Sequence, residues 1–161
     1  MTDNWIVYAS LAAGLSSALV AGVFQAFSDF VMPGLIRSEP KGGIESMQHI
    51  NRTVFRSVFL TTFLVLVPVL LVFSAFAWFQ MDGIARVLII TGTAVYVLSV
   101  FGVTVAGNVP MNERLDKMAC TSTEASAYWQ TYGKVWTNSN HVRMIGSVIT
   151  AICFLMAAVS L

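Results

Sequence analysis

Polar side chains occur in four short segments of an otherwise apolar chain: 25–29, 48–52, 108–112 and 129–143. Amides and guanidinium groups donate hydrogen bonds, imidazole and carboxylate groups exchange protons, and indole rings stack on flat ligands. Together such residues can form a binding or catalytic pocket. The residues concerned are Gln25, Asp29, Gln48, His49, Asn51, Arg52, Asn108, Asn112, Trp129, Trp136, Asn140, His141 and Arg143.

The spacing within two of these segments is helical. Trp129, Trp136, Asn140 and Arg143 are separated by seven, four and three residues, which places them on one stripe of a helix. Asn108 and Asn112 are four residues apart and share one face if the helix continues through the intervening proline. We therefore expect each segment to present a polar face.

The composition excludes an ordinary water-soluble domain. Hydrophobic residues make up 57% of the 161 positions and charged residues only 11%, with a mean hydropathy of +0.75. A soluble domain carries roughly 25% charged residues, so this chain has too few to cover a water-facing surface. A formal net charge of +1 gives no basis for binding nucleic acid. The composition indicates an integral membrane protein.

Four apolar stretches approach the roughly 20 residues that a membrane-crossing helix needs. They cover about residues 5–32, 58–79, 84–107 and 144–161. Lipid offers the backbone no hydrogen bonds, so stretches of this composition must be helical. The predicted fold is an all-α, four-transmembrane-helix bundle that forms a single domain, 1–161. We expect its helices to extend past the cytoplasmic interface and to carry one or two short amphipathic capping helices there.

Basic residues are distributed unequally between the two sides of the predicted bundle. Eight of the nine lie in or beside the two long connections, and only Arg86 lies on the other side. The positive-inside rule therefore predicts cytoplasmic connections and two extracytoplasmic termini. All four polar segments then lie at one membrane depth, which favours a pocket. The eight residues are Arg37, Lys41, Arg52, Arg56, Arg114, Lys117, Lys134 and Arg143.

Each polar residue also has a structural interpretation. In that interpretation Asp29 caps the bundle or pairs with an arginine, the asparagines hydrogen-bond helix ends, and the tryptophans anchor the interface. His49 and His141 are the only histidines, and together they could hold haem or a metal ion on the same side. No ligand motif accompanies them, so a metal site is the alternative and not the main prediction.

Four blocks carry a resemblance to a known family. "FSDFVMPGL", "GIESMQHINR", "NVPMNERL" and "WQTY…WTNSNHVR" resemble the signature blocks of small bacterial membrane proteins that are grouped with the fungal anthrone oxygenases. The similarity runs from about Ala21 to Gly146 in the same order. Position by position it points to Asn51, Asn108, Asn112, Trp136, Asn140, His141 and Arg143, while His49 and Asp29 lie outside the family's pattern.

The resemblance implies oxygen insertion at the activated methylene of an anthrone-like or quinol-like compound, with no cofactor. The resemblance therefore calls for a general base, for which we choose His141 first and Asp29 second from their chemistry, and for hydrogen-bond donors to an oxyanion. It also implies a bacterial inner membrane location and three partners: membrane lipid, a lipophilic aromatic molecule and dioxygen. The donors would be Asn108, Asn112, Asn140 and Arg143, and the substrate-binding residues Gln48, Asn51, Arg52, Trp129, Trp136 and Asn140.

Three classes of function follow from the sequence. The first is a cofactor-independent oxygenase with a cytoplasmic-side pocket. The second is a membrane protein that binds haem or a metal through His49 or His141. The third is a non-enzymatic subunit of a larger membrane complex, and a homo-oligomer is compatible with any of the three.

Overall fold

The computed structural model describes residues 4–161, and between them it contains helices and no strand. This confirms the predicted all-α fold. The first half of the chain forms α1 (Asn4–Ala26), a π-helical segment (Phe27–Val31), α2 (Met32–Arg37), α3 (Pro40–Thr53), a 3₁₀ turn (Val54–Arg56) and α4 (Val58–Gln80). The second half forms α5 (Gly83–Val95), two π-helical segments (Tyr96–Gly102 and Thr104–Asn108), α6 (Val109–Asp116) and α7 (Thr123–Val159).

Four continuous helices are long and apolar enough to cross a membrane, and they make this an integral membrane protein. They are longer than the predicted spans and cover Trp5–Arg37, Val58–Gln80, Gly83–Asp116 and Thr123–Val159. At 1.5 Å per residue the last of them is about 55 Å long, whereas a hydrocarbon core is about 30 Å thick. Three of the four helices, with 33, 34 and 37 residues, are therefore long enough to extend well past the apolar layer, as predicted.

Two of the three π-helical segments lie immediately before a proline. Pro33 and Pro110 have no backbone N–H, and in a regular helix their rings would clash with the carbonyl oxygens of Asp29 and Ala106. The wider π turn accommodates each ring without breaking the helix. The helix therefore continues through Pro110, as the Asn108–Asn112 spacing requires.

Helix α7 lies at the centre of the bundle and packs most extensively against α1 and α5. A second hydrophobic cluster packs α2, α3 and α6 against the N-terminal half of α7, so the polar segments meet at one end of the molecule. At Gly43 the backbone of α3 approaches Leu35 so closely that a Cβ would lie 2.5 Å from that carbonyl oxygen. The buried members of this cluster are Met32, Ile44, Met47, Leu115, Ala125, Trp129, Tyr132 and Trp136.

Hydrogen bonds and an ion pair hold α3 against α6. The side-chain amide of Gln48 donates to the carbonyl oxygens of Leu115 and Met118, at 2.8 and 2.9 Å, and thereby ties the end of α6 to α3. Arg52 forms an ion pair with Asp116 at 2.8 Å. These contacts hold the last turn of α3 beside α6, where Asn51 faces the interior of the bundle.

Candidate functional site

A cavity of about 290 Å³ lies where α1, α4, α6 and α7 meet beneath the end of α3. Most of its wall is apolar and aromatic, and the polar side chains that line it come from α3, α6, α7 and the π segment before α6. The aromatic members are Phe24, Phe27, Phe55, Phe59, Phe63 and Trp136. The uncharged polar members are Asn51, Thr104, Asn112 and Asn140, and the charged members are Arg52, Glu113, Asp116, Lys117 and Arg143.

Arg143 is the buried cation of this cavity, with 5% of its surface exposed. Its guanidinium carbon lies 4.5 Å from the ring centre of Phe24 and 5.2 Å from that of Trp136, so both aromatic rings contribute cation–π attraction. Its Nη2 donates to Asn140 Oδ1 at 2.7 Å and its Nη1 makes a long contact with Thr104 Oγ1 at 3.5 Å. The buried Nε atom has no partner.

Asn140 holds that arginine in place. Its amide nitrogen donates to the Phe24 carbonyl oxygen at 2.6 Å and to Ser28 Oγ at 2.7 Å, which uses both amide hydrogens. Its carbonyl oxygen accepts from Arg143. Asn140 therefore has no hydrogen left for a ligand, and it links α1 to α7 and orients the guanidinium group.

Asn112 has the opposite arrangement. Its Oδ1 accepts two hydrogen bonds from α7, from Tyr132 at 2.7 Å and from the Trp136 indole at 2.8 Å. An indole N–H can only donate, so it fixes which end of the amide faces α7. The Nδ2 group makes no hydrogen bond within residues 4–161, and Asn112 lines the cavity. This amide is thus oriented to donate to a ligand.

The part of the chain that carries these groups matches a known family. The family model described as anthrone oxygenase covers residues 48–153, about two thirds of the chain. The chain belongs to the anthrone oxygenase family. No curated protein and no solved structure gives a significant match. The resemblance predicted from the sequence blocks is therefore confirmed. The cavity lining of this anthrone oxygenase family protein lies within the matched range except for Val23, Phe24, Phe27 and Met47.

Two of the predicted site residues, Asn108 and Asn51, are only partly satisfied in this anthrone oxygenase family protein. Asn108 is buried behind the cavity, where its amide nitrogen donates to the Trp136 carbonyl oxygen at 3.2 Å and its Oδ1 has no partner. Asn51 lines the cavity, and its buried Nδ2 lies near the Tyr132 hydroxyl but makes no well-formed hydrogen bond within residues 4–161. Burying an amide without a partner is unfavourable, which makes Asn51 a second group available to a ligand.

The two tryptophans differ in position. Trp129, Tyr132 and Trp136 form a stacked ladder along α7, with ring centres 5.4 and 6.1 Å apart. Only Trp136 reaches the cavity wall, where it also contacts Phe27. Trp129 is fully buried in the cluster beneath α3, and Gln48 is occupied by the α6 carbonyl oxygens. Neither of these two lines the cavity.

The predicted proton acceptors lie elsewhere. His141 is exposed on α7, and Asp29 is exposed on the first π segment, where it accepts a hydrogen bond from Gln25 at 3.3 Å. Neither lines the cavity, so the geometry does not support their assignment as bases, which stays a prediction. His49 is exposed on α3, and residues 4–161 contain no cluster of three or more His, Cys, Asp or Glu side chains suited to a metal ion.

The cavity also has an apolar opening. Phe55 and Val109 line it, yet 77% and 39% of their surfaces are exposed. Phe55 lies in the 3₁₀ turn between α3 and α4, and Val109 begins α6. An apolar ligand can therefore reach the aromatic interior between these two elements.

Sequence reasoning missed most of the apolar wall and Tyr132. Phe24, Phe27, Phe59 and Phe63 lie within or beside spans that are apolar on every side, so no amphipathic pattern separates a cavity face from a lipid face. Tyr132 does lie on the stripe of Trp129 and Trp136, and its helical spacing was the available signal.

Proposed function

We propose that this protein is a membrane oxygenase that oxidises a flat, lipophilic phenolic substrate of the anthrone type in the cavity beneath α3. The observation that carries the proposal is the convergence of Asn112, Trp136 and Arg143, which the sequence predicted as site residues, on one aromatic-walled cavity. Membership of the anthrone oxygenase family supports the same reaction class.

The proposed reaction converts a methylene group to a carbonyl group. The substrate loses a proton from the methylene carbon, and the resulting anion is delocalised onto the ring oxygen. Dioxygen adds to that carbon, and protonation gives a hydroperoxide. Loss of water then breaks the O–O bond and leaves the ketone, so one substrate and one dioxygen yield one quinone and one water. The carbon is oxidised and the dioxygen is reduced.

Side chains on the cavity wall can stabilise the negative charge that develops during this reaction and can hold a planar substrate. The negative charge develops on oxygen, which the amide of Asn112 and the guanidinium group of Arg143 can stabilise by hydrogen bonding. The rings of Phe24, Phe27 and Trp136 form a wall for a planar ligand. Asn51 supplies a further free donor. Asn108 and Asn140 act indirectly. Asn108 does not line the cavity and donates to the Trp136 carbonyl oxygen, and both amide hydrogens of Asn140 are bonded to Phe24 and Ser28.

The test is oxygen uptake by the purified protein in lipid vesicles supplied with an anthrone. We expect quinone formation, measured by absorbance, with one dioxygen consumed per quinone and a rate at least about tenfold above protein-free vesicles. Vesicles carrying an unrelated four-helix membrane protein control for autoxidation. A rate equal to that control would refute the proposed activity. A visible absorption spectrum of the same protein would reveal the alternative, haem or a metal held by His49 or His141.

We further propose that the end carrying the cavity faces the bacterial cytoplasm and that both termini lie outside. The support is the distribution of basic residues, of which only Arg86 lies at the opposite end. Single cysteines at positions 2 and 122, introduced with Cys120 and Cys153 replaced by serine, test this in intact cells. An impermeant maleimide should label position 2 and leave position 122 unlabelled until the cells are opened. Labelling in the reverse order would contradict the proposed orientation.

A further inference from the structure

The charge of the cavity wall is not balanced within the protein. Three cationic and two anionic side chains line the cavity. Arg52 and Asp116 form an ion pair, while Glu113 and Lys117 are solvent-exposed. Within residues 4–161 the salt bridges join Arg52 to Asp116 and Arg86 to Asp82, and none involves Arg143.

Among residues 4–161, no carboxylate forms a salt bridge with Arg143, and the groups that surround it are neutral. Helix α1 presents Phe24 to its region, the π segment after α1 presents Ser28, and the π segment before α6 presents Thr104. The α4 side chains on the cavity wall are apolar. Tyr132, the nearest phenol on α7, is engaged with Asn112. A guanidinium group stays protonated at neutral pH, so this site holds a buried positive charge without a negative partner.

A buried charge without a partner is strongly unfavourable unless a ligand or a functional role compensates it. Arg143 has five N–H groups and uses only two of them, one of these in a 3.5 Å contact, which leaves Nε and further donors free. The cation–π contacts compensate part of its desolvation but satisfy none of these hydrogens.

We infer that the cavity binds its aromatic ligand as the anion, with the ligand's ionised ring oxygen as the missing counter-ion of Arg143. This inference adds the charge state of the ligand to the proposed function. It rests on the proposed function only for the statement that the ligand is planar and aromatic. The substrate then arrives or forms in the site as its phenolate or enolate, the reactive species of the oxidation. Arg143 stabilises that ionised form. The proton that the ligand loses is released to water.

A coloured phenol tests the inference without turnover. The probe is 2-hydroxyanthraquinone, whose visible absorption differs between phenol and phenolate, titrated with the wild-type protein in detergent and with the detergent alone. We expect the apparent pKa of the bound probe to lie at least one unit below that in micelles, since the anion should bind at least about tenfold more tightly than the neutral form. An unchanged or raised apparent pKa would overturn the inference.

Variants locate the effect. Arg143→Gln should abolish the shift, Arg143→Lys should keep most of it, and Arg86→Gln, which removes a paired arginine at the other end, should keep all of it. Thr104→Asp places a carboxylate beside the guanidinium group and should also abolish the shift, whereas the uncharged Thr104→Asn should preserve it. If the apparent pKa of the bound probe is the same in Thr104→Asp and Thr104→Asn, Arg143 is not the counter-ion.

A methylated probe completes the test. 2-Methoxyanthraquinone cannot ionise, so we expect its affinity to change less than about threefold between wild type and Arg143→Lys or Thr104→Asp, and to stay below that of the phenolate. Equal affinities of the phenol and its methyl ether at high pH would count against the inference. If the protein prefers the anionic probe but has no oxygenase activity, the proposed function is refuted and this inference stands. If it turns over an anthrone but shows no preference for the anionic probe, this inference is refuted and the proposed function stands.

Discussion

Replacing Asn112 by Asp is expected to leave the protein folded and to lower turnover by about 10²–10³-fold, the usual effect of losing one donor to an oxyanion. Aspartate keeps the oxygen that accepts from Tyr132 and Trp136, so both bonds to α7 are preserved. It removes only the Nδ2 donor that is free to reach a ligand, and its charge repels an anionic substrate. The measurement is the steady-state rate in vesicles together with the melting temperature.

Asn138→Asp is the matched control. Asn138 is exposed on α7, and its side chain makes no hydrogen bond within residues 4–161. The same change of charge there should alter turnover by less than about twofold, as surface substitutions away from special contacts usually do. If Asn112→Asp retains turnover within threefold of wild type, Asn112 is a structural acceptor and not a donor to the substrate.

Replacing Asn140 by Ala is expected to reduce both stability and activity, because this side chain joins α1 to the buried arginine. Hydrogen bonds to charged groups contribute about 1.5–3 kcal/mol, well above the average of about 0.6 kcal/mol for side-chain bonds between membrane helices. We expect a melting temperature lower by roughly 5 °C. Turnover of the protein that remains folded should fall by about 10²-fold, since the guanidinium group loses its position.

The structural and functional effects of this change can be separated. With Asn140→Ala, the apparent pKa of bound 2-hydroxyanthraquinone should move back toward its micelle value at a temperature where the variant is folded, as near-ultraviolet circular dichroism would verify. Asn138→Ala should change neither quantity. A lower melting temperature with a wild-type probe pKa would show that Asn140 only connects two helices and that Arg143 is positioned by other contacts.

The architecture and several of the residues lining the cavity were predictable from the sequence because membrane chains restrict the alternatives. Lipid-facing helices must be uniformly apolar, so every polar side chain near their ends stands out, and topology brings those ends together. Asn112, Trp136 and Arg143 were identified in this way. The helical spacing of the stripe that contains Trp136 also predicted that α7 begins far before its apolar part.

The same reasoning could not separate a structural role from a site role where both need polar side chains. Gln48, Asn108 and Asn140 are as polar as Asn112. Only the partner atoms show that Gln48 and Asn140 have both amide hydrogens bonded and that Asn108 donates to the backbone of Trp136. His141 was chosen by chemical type, although its exposed side of α7 is set by a packing arrangement that one helix cannot reveal. Burial and bond direction are properties of the assembled bundle.

The apolar opening at Phe55 and Val109 implies that the proposed reaction depends on the substrate concentration in the lipid and not on that in water. A ligand that reaches the cavity between two exposed hydrophobic side chains is taken from the lipid in which it is dissolved, and its supply follows its mole fraction there. Adding lipid or detergent at a fixed amount of substrate therefore lowers the rate by surface dilution. Michaelis constants for the proposed reaction are therefore meaningful only when expressed per lipid.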